Sequence, residues 1–375
     1  APIDLDGDAD DDGFDDLLFC SYASAGSTQQ VHLGSPSGPS PTADWSISSS
    51  YCTARAAWVG DLNGDGYDEL AFATATGTAL YAGSATGPSP SVTWTLSHDT
   101  DVDVVRWANA GDVNDDGFDD LLIGDEEADP GVSTDAGSAW IFAGSAAGPS
   151  ASPIWTLLGT QEAGHLGRGV AGLGDINGDG VDDFAVSASR EEGAVWFSGY
   201  EGGDHSGRVH VFFGAAGGPA AAADQLLETN GQLAYLGHWL RRAGDWNGDG
   251  SPDLLVGTSD WASGTPGAVG SAHVFLSGAG GFDAHPSFTL EGLSASGNSS
   301  YFGRGLAGGG DADGDGKADV FVGDPYFTNG QGSEGAVFLF SGTDVLPDTD
   351  SDGTPDGADC ARLDPSIHPG ATEVC

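Results

Sequence analysis

Apolar residues in this chain come in short runs separated by Gly, Pro, Asp and Ser, and no stretch shows the 3.6-residue spacing of an amphipathic helix. Six runs have similar character: LLFC from Leu17, LAFA from Leu70, LLIG from Leu121, FAVS from Phe184, LLVG from Leu254 and VFVG from Val320. Each is followed by a second β-like segment: QQVHLGS, TALYAGS, SAWIFAGS, RVHVFFG, SAHVFLSG and AVFLFSG. A third follows in five of the units (DWSIS, VTWTLS, PIWTLL, DQLLET, SFTLEG), and the sixth lacks a clear counterpart. A small-residue stretch such as HLGRGVAGLGD then leads into the next unit. Continuous apolar runs of this length predict strands covered on both faces.

The units share a polar signature as well. The string Gly-Asp-x-Asn/Asp-x-Asp-Gly-x-x-Asp/Glu recurs six times, starting at Asp8, Asp61, Asp112, Asp175, Asp245 and Asp311. The intervals, by subtraction, are 53, 51, 63, 70 and 66 residues. About four short strands per unit, repeated six times, predict an all-β fold, a β-propeller of four-stranded blades. Six loop-bearing repeats are counted, with seven blades as the alternative. A β-sandwich would lack such regular self-similarity.

Each loop offers side-chain oxygens at positions 1, 3, 5 and 9. The sets are Asp8, Asp10, Asp12 and Asp16 in loop 1; Asp61, Asn63, Asp65 and Glu69 in loop 2; and Asp112, Asn114, Asp116 and Asp120 in loop 3. Loops 4 to 6 give Asp175, Asn177, Asp179 and Asp183; Asp245, Asn247, Asp249 and Asp253; and Asp311, Asp313, Asp315 and Asp319. Position 6 is Gly in every copy, which permits the sharp turn that brings alternate side chains inward. Position 7 would add a backbone carbonyl, from Phe14, Tyr67, Phe118, Val181, Ser251 and Lys317. An all-oxygen shell suits Ca²⁺; Zn²⁺ would call for His or Cys, and Mg²⁺ rarely uses so full a protein cage. An EF-hand needs Glu at position 12 and flanking helices. Here position 12 is apolar (Phe19, Phe72, Ile123, Val186, Val256, Val322), so a strand follows the loop. The alternative, a metal-free acidic turn, would leave several like charges crowded together.

Composition sharpens this reading. The 375 residues carry 57 Asp plus Glu against 10 Lys plus Arg, a formal charge of −47. That excludes a phosphate-binding surface for nucleic acid and attraction to an anionic membrane. No apolar run approaches the roughly 20 residues needed to span a bilayer. Disorder is the obvious reading of such a charge, but the chain is 39% hydrophobic with 10 Trp, 17 Phe and 8 Tyr. Six Ca²⁺ would bring −47 to −35, and a seventh to −33. Four cysteines, Cys20, Cys52, Cys360 and Cys375, allow three pairings. Proximity favours Cys20–Cys52 and Cys360–Cys375 in an oxidising compartment, with four free thiols as the alternative.

The loops, the pairs Leu166-Gly167, Leu236-Gly237 and Phe302-Gly303, and the segment Val322–Pro325 together resemble the FG-GAP repeat of the integrin α-subunit β-propeller. The resemblance covers residues 1–343; the pair is missing at Ala54-Arg55 and Val105-Arg106. It implies calcium sites in the loop joining the first two strands of each blade, with partners bound on the opposite face. In the tail, residues 344–375, Asp348, Asp350, Asp352 and Asp356 repeat the spacing without a following strand. That segment resembles a thrombospondin type 3 calcium repeat, and DPSIHPGATEVC resembles a cysteine motif of secreted myxobacterial-type proteins. These resemblances imply a seventh calcium site and a tail closed by Cys360–Cys375; an unstructured acidic tail is the alternative.

A catalytic constellation is not visible. The nine His are scattered, and there is no HExxH, GxSxG or P-loop. A non-enzymatic function is expected. His210 and His273 sit at equivalent strand positions and read as core or edge histidines. Arg168 and Arg304, with His238 in register, read as members of structural ion pairs. The functional signal lies in the connections between second and third strands, short in units 1 and 2 but long at Asp125–Gly137, Ser187–Gly207, Thr258–Gly270 and Asp324–Gly335. These carry Trp196, Phe197, Tyr200, Trp261, Tyr326 and Phe327. Of these, Trp196, Tyr200, Trp261 and Tyr326 are the candidate ligand-binding residues, weighed against simple capping of the blades. The expectation is a secreted or cell-surface, calcium-stabilised adhesion module, a monomer, whose partner is an extracellular protein. A carbohydrate-binding propeller, or a non-catalytic domain of a larger secreted enzyme, are the alternatives.

Overall fold

A computed structural model of the chain describes residues 3–4, 10–14, 16–23, 26–49, 56–74, 77–97, 104–131, 134–191, 206–229, 235–258, 270–278, 280–291, 301–328 and 334–343. Every regular element among them is a strand. The first sheet is β1 (Ile3–Asp4), β2 (Leu17–Ala23), β3 (Gly26–His32) and β4 (Trp45–Ser49). The second is β5 (Ala56–Trp58), β6 (Leu70–Thr74), β7 (Gly77–Tyr81) and β8 (Trp94–Ser97). The third is β9 (Val105–Asn109), β10 (Leu121–Asp125), β11 (Ser138–Phe142) and β12 (Trp155–Leu158). The fourth is β13 (Leu166–Gly174), β14 (Asp183–Ala188), β15 (Arg208–Phe212) and β16 (Gln225–Leu227). The fifth is β17 (Trp239–Gly244), β18 (Asp253–Gly257), β19 (Ser271–Phe275) and, after the small hairpin β20 (Ser277–Gly278) and β21 (Gly281–Phe282), β22 (Phe288–Glu291). The sixth is β23 (Gly305–Gly310), β24 (Asp319–Asp324) and β25 (Ala336–Phe340).

The sheets are antiparallel meanders in which each strand pairs with its neighbours in sequence. Burial grades across them. The apolar runs β6, β10 and β18 are buried on both faces, whereas β8 and β22 alternate half-buried with exposed residues, as outer strands do. The sixth sheet has no fourth strand among the described residues, in keeping with the weak third segment of that unit.

The chain divides into two compact units. One contains residues 1–174, 179–191 and 210–224, the other residues 175–178, 192–209 and 225–375. In the first unit the core forms between successive sheets. Leu18, Val31, Trp45 and Ile47 of the first sheet pack on Leu70, Phe72 and Tyr81 of the second. Ala71, Leu80 and Trp94 of the second pack on Leu121, Ile123 and Phe142 of the third. Leu122, Ile141 and Trp155 of the third pack on Phe184, Val186 and Phe212. The Trp155 ring stands edge-on to both phenylalanines, with centroids 5.0 and 4.7 Å away. In the second unit, Leu255, Ala272 and Val274 pack on Val320, Val322, Phe338 and Phe340. Sheet-on-sheet stacking of repeated four-stranded meanders makes this an all-β protein of the β-propeller class. Each fully buried Leu or Phe contributes roughly 1.5–3 kcal/mol, so the stacking faces hold the sheets together. None of the described residues forms a helix long and apolar enough to cross a membrane.

Candidate metal centres

All six loops join the first and second strands of their sheets, as expected. The position 6 glycines, Gly13, Gly66, Gly117, Gly180, Gly250 and Gly316, have φ between 86° and 93°. Position 4 is also left-handed, with Asp11 at 53°, Gly64 at 74°, Asp115 at 60°, Gly178 at 80°, Gly248 at 76° and Gly314 at 81°. That second requirement was missed in the sequence, although only Gly and Asp, the residues that tolerate it, occupy the position. Two left-handed residues in three fold the loop back on itself.

Position 1 organises the turn. In loop 6 the Asp311 carboxylate accepts N–H groups from Gly314 at 2.6 Å, Asp315 at 3.0 Å and Gly316 at 2.8 Å. Asp61 does the same with Gly64, Asp65 and Gly66 at 2.7, 3.1 and 2.8 Å. Such bonds favour the charged form, and those to Asp311, led by the Gly316 bond, lower its pKa. Position 5 accepts the N–H of position 7 in all six loops, from Phe14 to Asp12 at 3.0 Å through Lys317 to Asp315 at 2.9 Å. In loop 6, carboxylate oxygens of Asp311, Asp313 and Asp315 lie within 4.8 Å of one another. Three exposed acidic groups converging on one point form a donor set that fits a hard cation.

Position 9 has a second role. Asp16, Glu69, Asp120, Asp183, Asp253 and Asp319 are all buried. One carboxylate oxygen accepts an N–H from just beyond the third strand: Gly34, Gly144, Gly214, Ser277 and Gly342 donate at 2.7–2.9 Å. The other oxygen takes the N–H of position 2, as from Leu62 at 2.8 Å, Trp246 at 2.9 Å and Ala312 at 2.7 Å. Position 9 therefore ties the loop to its own sheet. Burial, reinforced by the charges at positions 1 and 5, pushes Glu69, Asp120 and Asp253 up to about 7, against the lowering effect of these bonds. A positive charge in the loop would reverse that repulsion.

The opposite ends of the sheets look different. Glu126, buried just beyond β10, meets Arg106 at 3.5 Å, His165 at 3.2 Å and Arg168. Arg190 Nη1 lies 3.0 Å from His165 Nε2, so the imidazole accepts there and donates to Glu126 through Nδ1. Burial alone would raise the Glu126 pKa; the His165 hydrogen bond and the two guanidinium groups outweigh it and hold it at about 2. Arg168 is thus in an ion pair, as the sequence suggested. His273, buried and hydrogen-bonded to Ser271 and Thr289 at 3.0 Å each, is a core histidine whose pKa burial lowers to about 4. His210 pairs with Glu191 at 2.7 Å. Arg304 lies over the Tyr301 ring at 5.2 Å instead of in the expected ion pair, and Tyr301 is 4.9 Å from the exposed Tyr326. Phe327 packs on Phe338, a capping role.

Asp8, Trp196, Phe197, Tyr200 and Trp261, the tail with Asp348, Asp350, Asp352 and Asp356, and Cys52, Cys360 and Cys375 lie outside the described residues. Cys20 is disulfide-bonded.

Comparison with known proteins agrees with this geometry. The FG-GAP repeat model matches residues 166–212 and 302–340. Two segments of the chain are thus similar to that repeat. Each match runs from the buried apolar residue of an expected pair, Leu166 or Phe302, through three strands and the loop between the first two. The chain is 31% identical to integrin alpha-5 of Xenopus laevis over 157 residues, covering 40% of this chain and 14% of that protein. It is 35% identical to integrin alpha-IIb of Mus musculus over 154 residues, 39% of this chain and 14% of that protein. It is also 32% identical over 185 residues to phosphatidylinositol-glycan-specific phospholipase D of Bos taurus, 46% of this chain and 20% of that protein. The matched region thus spans between a seventh and a fifth of these relatives. The propeller is integrin-like; neither a thrombospondin-type repeat nor a myxobacterial cysteine motif emerges from the comparisons.

Proposed function

We propose that this chain is an extracellular, non-catalytic binding module, stabilised by Ca²⁺ in its loops, that takes a protein ligand at the sheet ends opposite them. The observation that carries the reading is the loop geometry, repeated with one hydrogen-bond pattern, that crowds carboxylates at one end. Positions 1, 3 and 5, the position 7 carbonyl and position 9 would hold the ion, which would neutralise the cluster and fix the loop. The opposite end is then free for recognition, and there the exposed Tyr326 and Arg304 flank the half-buried Tyr301 in an aromatic and cationic patch. Similarity to integrin α-subunits supports a protein partner. Secretion is supported by the disulfide at Cys20.

The test has two arms. Metal analysis of protein purified in calcium should find about six Ca²⁺ per chain; fewer than four would refute the structural-calcium reading. Binding to a panel of extracellular proteins should fall in Tyr301→Ala/Tyr326→Ala while the melting temperature stays unchanged. A carbohydrate ligand is the second reading, because neighbouring tyrosine rings at a surface also suit sugar faces. Binding on a glycan array, lost in the same variant, would select it. The phospholipase relative leaves a third, a non-catalytic domain of a larger enzyme.

A further inference from the structure

Position 8 of the loop was assigned no role, yet it joins one loop to the next. Asp119, at position 8 of loop 3, accepts the Asn109 amide at 2.7 Å and also the backbone N–H of Asp61, the first residue of loop 2. Asn109 in turn accepts the Gly111 N–H at 2.7 Å, beside the first residue of loop 3. Asp182, at position 8 of loop 4, accepts the N–H of Asp112, the first residue of loop 3, at 2.9 Å. The Asp182 N–H also approaches the Asp112 carbonyl at 3.4 Å, making the contact two-way. The glycines preceding loops 2 and 3 make room for this approach. A Cβ on Gly60 would sit 2.3 Å from Asp119 Oδ2, and one on Gly111 would sit 2.3 Å from Asp182 Oδ2.

The later loops lack the carboxylate. Loop 6 has Ala318 at position 8; its N–H reaches the Asp245 carbonyl at 2.8 Å, so only the backbone half of the latch is present. Loop 5 has Pro252, which can supply neither an N–H nor a carboxylate.

We propose that cation binding in loops 2, 3 and 4 is cooperative through Asp119 and Asp182, and that loops 5 and 6 bind independently. This inference rests on the calcium reading above. Position 8 lies between two ligand positions, 7 and 9. When Phe118 and Asp120 are engaged, Asp119 between them is held in place. Its carboxylate then fixes the backbone of Asp61, whose own carboxylate is the first ligand of loop 2. Ordering of one loop thereby meets part of the ordering cost of its neighbour, and linkage makes the effect reciprocal.

The test uses terbium as the probe. Tyr67 is the seventh residue of loop 2, so the sensitised emission lost in Tyr67→Leu reports that loop; Trp246, in loop 5, reports the other region. Asp119→Ala should weaken terbium binding at loop 2 about fivefold, the worth of one hydrogen bond, with partial rescue by Asp119→Asn. Disabling loop 3 with Asp116→Ala should weaken loop 2 in the wild-type background but not in Asp119→Ala. Should Asp119→Ala fail to fold, Ala318→Asp supplies the test by gain. There Asp315→Ala, silent at loop 5 in the wild type, should weaken loop 5 severalfold. Unchanged loop 2 affinity in a folded Asp119→Ala overturns the proposal, as does absence of coupling in Ala318→Asp. No terbium binding at any loop would instead overturn the calcium reading on which it stands.

Discussion

Two carboxylates bracket strand β10 and meet opposite fates. Asp120 precedes the strand and Glu126 follows it, and both are buried. Asp120 sits among the like charges of Asp112 and Asp116, and burial with that repulsion raises its pKa to about 7. Glu126 suffers the same desolvation but is surrounded by Arg106, Arg168 and His165, and is held at about 2. At one end of the strand the chain supplies the counter-charge itself. At the other, the described residues around Asp120 are carboxylates and backbone dipoles, the arrangement on which the proposed calcium binding rests. The formal charge of −47 therefore has a local meaning at the loops.

The largest effect that separates the two ends is removal of metal. Each site filled at a hundredfold excess over its Kd stabilises the folded chain by about 2.7 kcal/mol, and several sites compound the gain. Melting curves with calcium and after chelation should differ by far more than any point variant achieves. The Glu126 cluster should be indifferent to chelator, which urea unfolding of Glu126 variants in both conditions would show.

Next in size is Glu126→Ala. Removing the carboxylate that Arg106 and Arg168 share breaks a buried ion-pair cluster, at a cost of about 3–5 kcal/mol. Glu126→Gln keeps acceptor capacity and should lose less. Chemical denaturation of both variants measures this; a loss under about 1 kcal/mol for the alanine variant would mean the guanidinium groups find other partners.

The third effect lies in the loop backbone. Gly117 adopts φ 91°, and a Cβ there would meet nothing within 4 Å. Gly117→Ala thus isolates backbone strain from packing and should cost about 1–2 kcal/mol. Because the strained turn also aligns Asp112 and Asp116, the variant should lose calcium affinity at loop 3 as well. Gly124→Ala in β10 provides the contrast: there a Cβ would stand 2.4 Å from the Gly167 carbonyl, so the loss should be larger and independent of metal.

What the sequence disclosed follows the same division. Loop chemistry is local: alternate oxygens and an obligatory glycine are written within nine residues, so the turn was legible in all six copies. The weak third segment of the sixth unit was legible too, and no fourth strand stands there among the described residues. The face of that sheet with Val337 (71%) and Leu339 (47%) is exposed, whereas their counterparts Ala272 and Val274 in the fifth sheet are fully buried against the sixth. The Glu126 cluster was only half legible. Arg168 could be placed in an ion pair, but its partner lies 42 residues away and is marked by no periodicity. Position 8 was invisible for a related reason: its partner belongs to the preceding sheet, and an Asp in an acidic loop looks like any other. Arg304 repeats the position of Arg168 yet lies over the Tyr301 ring: the residue of the preceding unit that corresponds to Glu126 is Ser259, which carries no carboxylate.

The smallest effect, and the one that resolves the two ends most directly, is the response to pH. Glu126 has a folded pKa of about 2 against an ordinary 4.5. Its contribution is therefore complete above about 4.5 and is lost as the pH falls toward 2. Glu69, Asp120 and Asp253 have the opposite displacement, to about 7. In calcium-free protein the native state holds more protons than the unfolded chain between about 4 and 7, so these three groups add stability as the pH falls through that window. Calcium-free protein should then resist urea better near pH 5 than near pH 7.5. With calcium bound the trend should invert, since protons and the cation compete for the same oxygens. Glu126→Gln should flatten the acid limb below about pH 4.5 and leave the neutral limb untouched. Urea midpoints measured across pH, with and without calcium, decide it. A calcium-free protein that weakens steadily from pH 7.5 to 5 would mean that the loop carboxylates are already neutralised without metal.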